Sequence, residues 1–305
     1  MTNIAPELPP PGIGHVAEGG EIGPIQSGWR LAAREFAQNR LAVLGLGALI
    51  FFVIFCYLGP LVYHGGLTSN LTATNIPPSA GYPLGTDNQG FDVLEELMIG
   101  GRAALEIGFL SAVIGMVWGA IWGAVSGLAG GLLDGFLMRI VDVLLSIPFL
   151  FVVLIVAVRY GATILGLSVI IGIFTWQVPA RLVRGEVLTL RVRDFVSAAR
   201  TAGSGQWRLI RRHLLPNALG VMIVNVTFNV ADAILAVAAL GFLGFGLHYP
   251  NQDWGDMLSN GIQYLQDGYW WLVFPVGACI VLVVMACNLV GDGLRDSLDV
   301  RLRRR

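Results

Sequence analysis

The feature that most constrains this chain is the recurrence, six times, of apolar stretches long enough to cross a lipid bilayer. Leu41–Tyr63 carries no charge over 23 residues, and Ile107–Leu133 none over 27. Further stretches run near Gly135–Val158, Tyr160–Ala180, Ala218–Gly246 and Tyr269–Gly291. A spanning helix needs ~20 apolar residues to cross a hydrocarbon core ~30 Å thick. Lipid offers no partner for an open backbone, so the expected fold class is an all-α membrane protein of six transmembrane helices. Charged residues make up 13% of the chain, about half of what a soluble domain needs to stay in water. The second span is expected to begin a few residues early, across Glu106. The fifth, at 29 residues, is expected to tilt or break around Gly241, Gly244 and Gly246. The first run, starting near residue 41, is too long for the apolar region of a cleavable signal.

All 19 basic residues are arginine, and the chain has no lysine. That excludes a phosphate-binding P-loop, whose lysine reaches the β- and γ-phosphates, and any Schiff-base lysine. If ATP drives this protein, another chain binds it. With the N-terminus placed in the cytoplasm, 17 arginines fall on the cytoplasmic side and only Arg102 and Arg159 outside. This asymmetry predicts that both termini are cytoplasmic. The resulting plan has a disordered cytoplasmic tail (1–27), an interfacial amphipathic helix (28–40) with Trp29, Ala32, Ala33 and Phe36 on one face, and a six-helix domain (41–295). Within that domain lie an external loop (64–102), a cytoplasmic loop (181–216) and an external segment (247–268). A basic cytoplasmic tail (296–305) closes the chain.

The cytoplasmic loop contains SAARTAGSGQWRLIRRHLLPN, residues 197–217, a small, polar, arginine-studded island between two apolar spans. Its charge alone is what any topology anchor would carry. Its pattern says more. Phe195–Ala202 is small and helix-favouring, Gly203 permits a turn with positive φ, and Gln206–Leu214 resumes a helical pattern closed by Leu215–Pro216. Two short helices joined at a glycine, with small side chains on the first, make a surface that another protein can approach closely.

Here the chain resembles the permease subunits of ATP-binding-cassette (ABC) importers. Ala198–Ala199, Gly203, His213 and Leu215–Pro216 are spaced as in the EAA loop of that family. The wording RHLLPN is similar to the dipeptide, oligopeptide and nickel permease branch. So are PLGTDNQGFDVLEELMIGGR (83–102), MRIVDVLLSIP (138–148), LGFLGFGLHYPNQDWGDML (240–258) and NLVGDGLRDSLDVRLR (288–303). Ser197 stands where the family has Glu, Phe91 where Arg is usual, and Val237 and Gly241 where Glu and Ser are common. The resemblance implies a type I importer bundle in the bacterial plasma membrane that does no covalent chemistry. It assigns ATPase coupling to Ser197, Ala198, Ala199, Arg200, Gly203, His213, Leu215 and Pro216. It also implies a homologous second permease subunit, two ATP-binding subunits that hold ATP and Mg, and an extracellular solute-binding protein. The substrate class it points to is di- or oligopeptides, with nickel chelates, glutathione or other small solutes among the branch's relatives.

Other residues admit two readings each. Asn225, Asn229 and Asp232 share one face of the fifth span. They either line a translocation path, with Phe228 nearby, or bond a neighbouring helix. Asp142 follows Arg139 at a spacing that allows an intrahelical pair. Gly115, Gly119, Gly123 and Gly127 form a stripe suited to close helix packing. Asp87, Asp92 and Trp254 are candidates for binding-protein docking on external segments, or else belong to solvated loops. Neither Cys56, Cys279 and Cys287 nor His15, His64, His213 and His248 show metal-ligand spacing, and no nucleic-acid-binding charge is present. Two other classes fit the composition: an ion-coupled secondary transporter using Asp142 and Asp232, and an intramembrane enzyme, for which no catalytic motif appears.

Overall fold

The structure is a computed structural model that describes residues 28–63, 68–160, 162–247 and 251–303. The expected tail 1–27, His64, His248 and Arg304–Arg305 lie outside the described residues, as do the side chains of Trp29 and of 299–303. Regular structure among the described residues is helical apart from one isolated bridge between Thr86 and Asp92. The helices are α1 (Gly28–Gln38), α2 (Arg40–Val62), α3 (Val93–Ala129), α4 (Gly131–Leu145), α5 (Phe149–Tyr160) and α6 (Ile164–Thr175). They continue with α7 (Gln177–Leu190), α8 (Asp194–Thr201), α9 (Gln206–Leu209), α10 (Leu215–Phe242), α11 (Trp254–Ile262) and α12 (Phe274–Arg303).

Among the described residues, four helical rods are long and apolar enough to cross a membrane unaided: α2, α3, α9 continued into α10, and α12 with the turn before it. The expected third and fourth spans are not straight. Each is a bent pair, α4 with α5 at 74° and α6 with α7 at 46°, and the count reaches six when each pair is one span. Proline accounts for both bends. Pro148 follows the cap of α4 at Ser146, and Pro179 cannot donate to the carbonyl four residues back, at Thr175, where α6 stops.

Several boundaries also move. α3 starts at Val93, so the last ten residues of the expected loop 64–102 are helix. Asp92 is the reason: its carboxylate accepts the Leu94 N–H at 2.8 Å, and Glu95 and Glu96 sit in the first turn. α7 runs on to Leu190, which makes the first ten residues of the expected loop 181–216 helical as well. The fifth span ends at Phe242 and turns at Gly244, where φ is +82°. α1 packs on α12, with Phe36 against Gly293, and Asn39 caps α2 by accepting from Leu41 and Ala42.

α3 is the axis of the bundle, packing against α7, α6, α10 and α2. Its glycine stripe is what lets α6 and α7 come so close. A Cβ at Gly119 would lie 2.6 Å from Pro179 Cβ, one at Gly127 would lie 2.9 Å from Val187, and one at Gly123 would run into the Ala180 carbonyl. Apolar side chains then fill the space either side. Ile107, Leu167, Ile171 and Leu240 form one cluster, and Met116, Ala124, Val183 and Val187 another nearer Ala129.

The Val93 end of α3 is closed by Trp254 and Asp253. The Trp254 indole lies over Gly100 and Gly101, where a Cβ would meet it at 3.3 Å or less, and its N–H donates to the Leu97 carbonyl at 3.0 Å. Asp253, fully buried, caps α11 through Gly255 N (2.8 Å) and Asp256 N (3.0 Å), while its other oxygen accepts Leu247 N at 2.7 Å. Gly241 and Gly246 leave the room its carboxylate occupies.

Two stability predictions follow from this packing. Gly123→Leu should abolish the folded bundle or lower its melting midpoint steeply, because the obstruction is backbone. Gly47→Ala, with no atom within 4 Å of the new Cβ, should leave the midpoint unchanged or raise it slightly. Trp254→Ala should cost about 3–5 kcal/mol, as large buried truncations do. Thermal unfolding in one detergent checks both, and an unchanged midpoint for either Gly123→Leu or Trp254→Ala contradicts the packing described.

Candidate functional site

At the Ala129 end of α3 the chain leaves α7, turns through Arg191–Arg193 and forms α8. One side of α8 is anchored: Val196 is fully buried and Ala199 half-buried, in a cluster with Leu209, Ile210, Leu214, Val183 and Val187. The other side is open, presenting Ser197, Ala198, Arg200 and Thr201. Gly203 then adopts φ +81° with nothing near a would-be Cβ, a left-handed turn that any other residue would enter with strain. Seven of the eight positions assigned to coupling thus lie on α8 or on the continuous helix that follows it, with their side chains at least partly exposed. The eighth, Gly203, is exposed at the turn between them.

The second short helix expected here is not separate. α9 passes through a single π turn, Ile210–Leu214, directly into α10, so Leu215–Pro216 does not close it. The wider turn solves the problem that Pro216 poses. Leu215 N–H reaches back to Ile210 O, and Pro216 needs no N–H in the ordinary ladder. The Asn217 side chain donates to the His213 carbonyl at 2.5 Å. His213, half-buried, faces the Phe195 ring at 6.5 Å between centroids, tying the helix to the start of α8.

α10 carries the polar stripe. Asn229 Nδ2 donates to Asn225 Oδ1 at 3.2 Å within the helix, and both are half-buried. Asp232 is exposed. Among the described residues none of the three bonds a neighbouring helix. Phe228 does not join them: its ring packs on α12 at Gly291.

At the Val93 end the three docking candidates separate. Trp254 is 1% exposed and Asp92 7%, so neither presents a surface. Besides capping α3, Asp92 accepts the Tyr63 hydroxyl at 2.6 Å. Asp87 is half-buried, accepting Gln89 N and Phe91 N in a turn, and burial raises its carboxyl above the usual range despite those bonds. Burial likewise pushes Asp253 up to about 6.

The structure also joins groups that have no local signature. Arg184 grips Asp134 through two bonds of 2.6 Å, Ser126 donates to the same carboxylate at 2.5 Å, and Arg191 donates to the Gly127 carbonyl at 2.9 Å. Asp142 pairs with Arg181 on α7, not with Arg139. These contacts clasp the α3–α4 corner to the helix that leads into α8. Asp134 and Arg184 lie 50 residues apart, so no spacing rule could have linked them.

Residues 115–304 match the family described as the binding-protein-dependent transport system inner membrane component, and residues 27–78 match the N-terminal transmembrane domain of oligopeptide transport permease C. The chain is 38% identical over 274 residues to the dipeptide transport system permease protein DppC of Bacillus subtilis, covering 90% of this chain and 86% of that one. It is 37% identical over 278 residues to the oligopeptide transport system permease protein OppC of Escherichia coli, covering 90% and 92%. Among solved structures, a chain of the inward-facing methionine ABC transporter MetNI shares the fold with a TM-score of 0.53 at 22% identity, over 67% of this chain and 96% of that one. With most of its length matched in order, this chain belongs to the binding-protein-dependent transport system inner membrane component family.

Proposed function

We propose that this chain is one permease subunit of an ATP-driven importer for di- or oligopeptides, and that α8 with the Gly203 turn is where a separate ATPase subunit engages it. The single observation that carries this is mechanical. α8 is anchored on one side and exposed on the other, and from Gln206 the chain continues without a break to Phe242. At ~1.5 Å per residue the Asn225–Asp232 stripe lies roughly 30–40 Å along the same rod. A displacement imposed at α8 is therefore carried to a polar face in the middle of the bundle. ATP-driven closure of two partner subunits needs such an element, with contacts that differ between two states.

In this reading Asn225, Asn229 and Asp232 line the path, and their open side faces a homologous second permease subunit across it. Two ATP-binding subunits hold ATP and Mg, and an extracellular solute-binding protein delivers the peptide. The arginine-rich end of the bundle, carrying α8, faces the cytoplasm of a bacterial plasma membrane, and both termini lie on that side. The peptide class is supported by the names of the DppC and OppC relatives.

The test compares peptide uptake with ATP hydrolysis in vesicles containing the assembled importer. Ala198→Arg, on the exposed face of α8, and Gly203→Asp should each cut uptake by about tenfold or more while hydrolysis persists and the melting midpoint stays within a few degrees. Asp232→Asn should lower uptake without uncoupling it. Normal uptake in both Ala198→Arg and Gly203→Asp would remove the docking role of α8.

A further inference from the structure

The foot of the α9–α10 rod holds a patch that the coupling scheme does not use. Trp207 is 60% exposed, and with Arg208, Arg211 and Arg212 it lines an open hollow of about 210 Å³. Among the described residues none of these three guanidinium groups forms an ion pair. The backing is firm, because Leu209, Ile210 and Leu214 are buried in the bundle. Further along the rod Leu219 and Ile223 are 41% and 38% exposed. At about 100° per residue, Ile223 lies opposite the face that carries Asn225, Asn229 and Asp232. The polar stripe and this apolar strip therefore look toward different surroundings.

We propose that Trp207, Arg208, Arg211 and Arg212 seat the headgroup of an anionic phospholipid whose acyl chains run along Leu219 and Ile223. Guanidinium groups bind phosphate through paired N–H donors, and an indole is favoured at the depth where headgroups meet acyl chains. A phospholipid matches both parts of the surface, charge below and hydrocarbon above. An acidic protein would neutralise the arginines but leave the apolar strip unaccounted for.

The test is native mass spectrometry of the full-length chain extracted from vesicles of equal parts phosphatidylglycerol and phosphatidylcholine. The wild type should retain phosphatidylglycerol in preference. Each arginine near an anionic headgroup contributes enough that the R208Q/R211Q/R212Q variant should lose roughly a hundredfold in that preference, and Arg211→Gln alone roughly fivefold. Arg102→Gln, at the opposite end of the bundle, should change nothing. The single Arg211→Gln result decides the matter if the triple variant fails to keep its melting midpoint in phosphatidylcholine. Undiminished retention in Arg211→Gln and the triple variant overturns the proposal. So does binding that free inorganic phosphate displaces completely. A photo-crosslinker at position 207 that labels an ATPase subunit in the assembled importer, and no lipid, would assign the patch to that protein instead.

Discussion

Close approach of α3 to the α6–α7 pair is the constraint on which the rest of the structure depends. In lipid no hydrophobic force drives helices together, since acyl chains are as apolar as leucine, and association rests on van der Waals contact and on polar contacts between helices. Gly119, Gly123 and Gly127 allow the α7 backbone to lie directly on α3. Arg184 and Arg191 then fasten α7 at the Ala129 end of the bundle, Arg184 to Asp134 on α4 and Arg191 to the Gly127 carbonyl of α3. α8 follows α7 by three residues, so the precision of that packing fixes where its exposed face stands.

The two ends of α3 are built differently. The Val93 end is closed by buried polar groups with every bond directed inward: Asp253 on three backbone N–H groups, Trp254 on the Leu97 carbonyl, Trp271 on the Thr86 carbonyl at 3.3 Å. The Ala129 end keeps small side chains and arginines on the surface, over a cluster that anchors them from beneath. A rigid cap at one end and an exposed element at the other, joined by the unbroken α9–α10 rod, are the parts that the proposed coupling requires.

Much of this was legible in the sequence, and the misses have physical causes. α2, α3, α10 and α12 announce themselves as uninterrupted apolar runs, and the glycine period of four in α3 is visible by eye. The bends at Pro148 and Trp176 escape hydropathy, which sums composition and is blind to direction, and the available signal was Pro148 and Pro179 inside the apolar runs. α3 begins 14 residues before the apolar run at Ile107, since a helix propagates through Glu95, Glu96 and Arg102 once Asp92 caps it; the Asp–x–x–Glu spacing was the available signal. Asp92 and Trp254 read as surface by residue type and loop position, yet both are spent on internal contacts. The spacing of Asp142 from Arg139 allows an intrahelical pair, whereas its partner in the fold, Arg181, lies 39 residues away. Long-range pairing of this kind exists only in the folded state.

The central claim is that this chain is moved by partners rather than powered by its own chemistry. The most direct measurement is to extract it from its native membrane in mild detergent and identify what co-purifies by mass spectrometry. Recovery of ATP-binding subunits together with a second six-span permease is the predicted result. Recovery of the chain alone, folded and able to drive uptake in vesicles from an ion gradient without ATP, would contradict it.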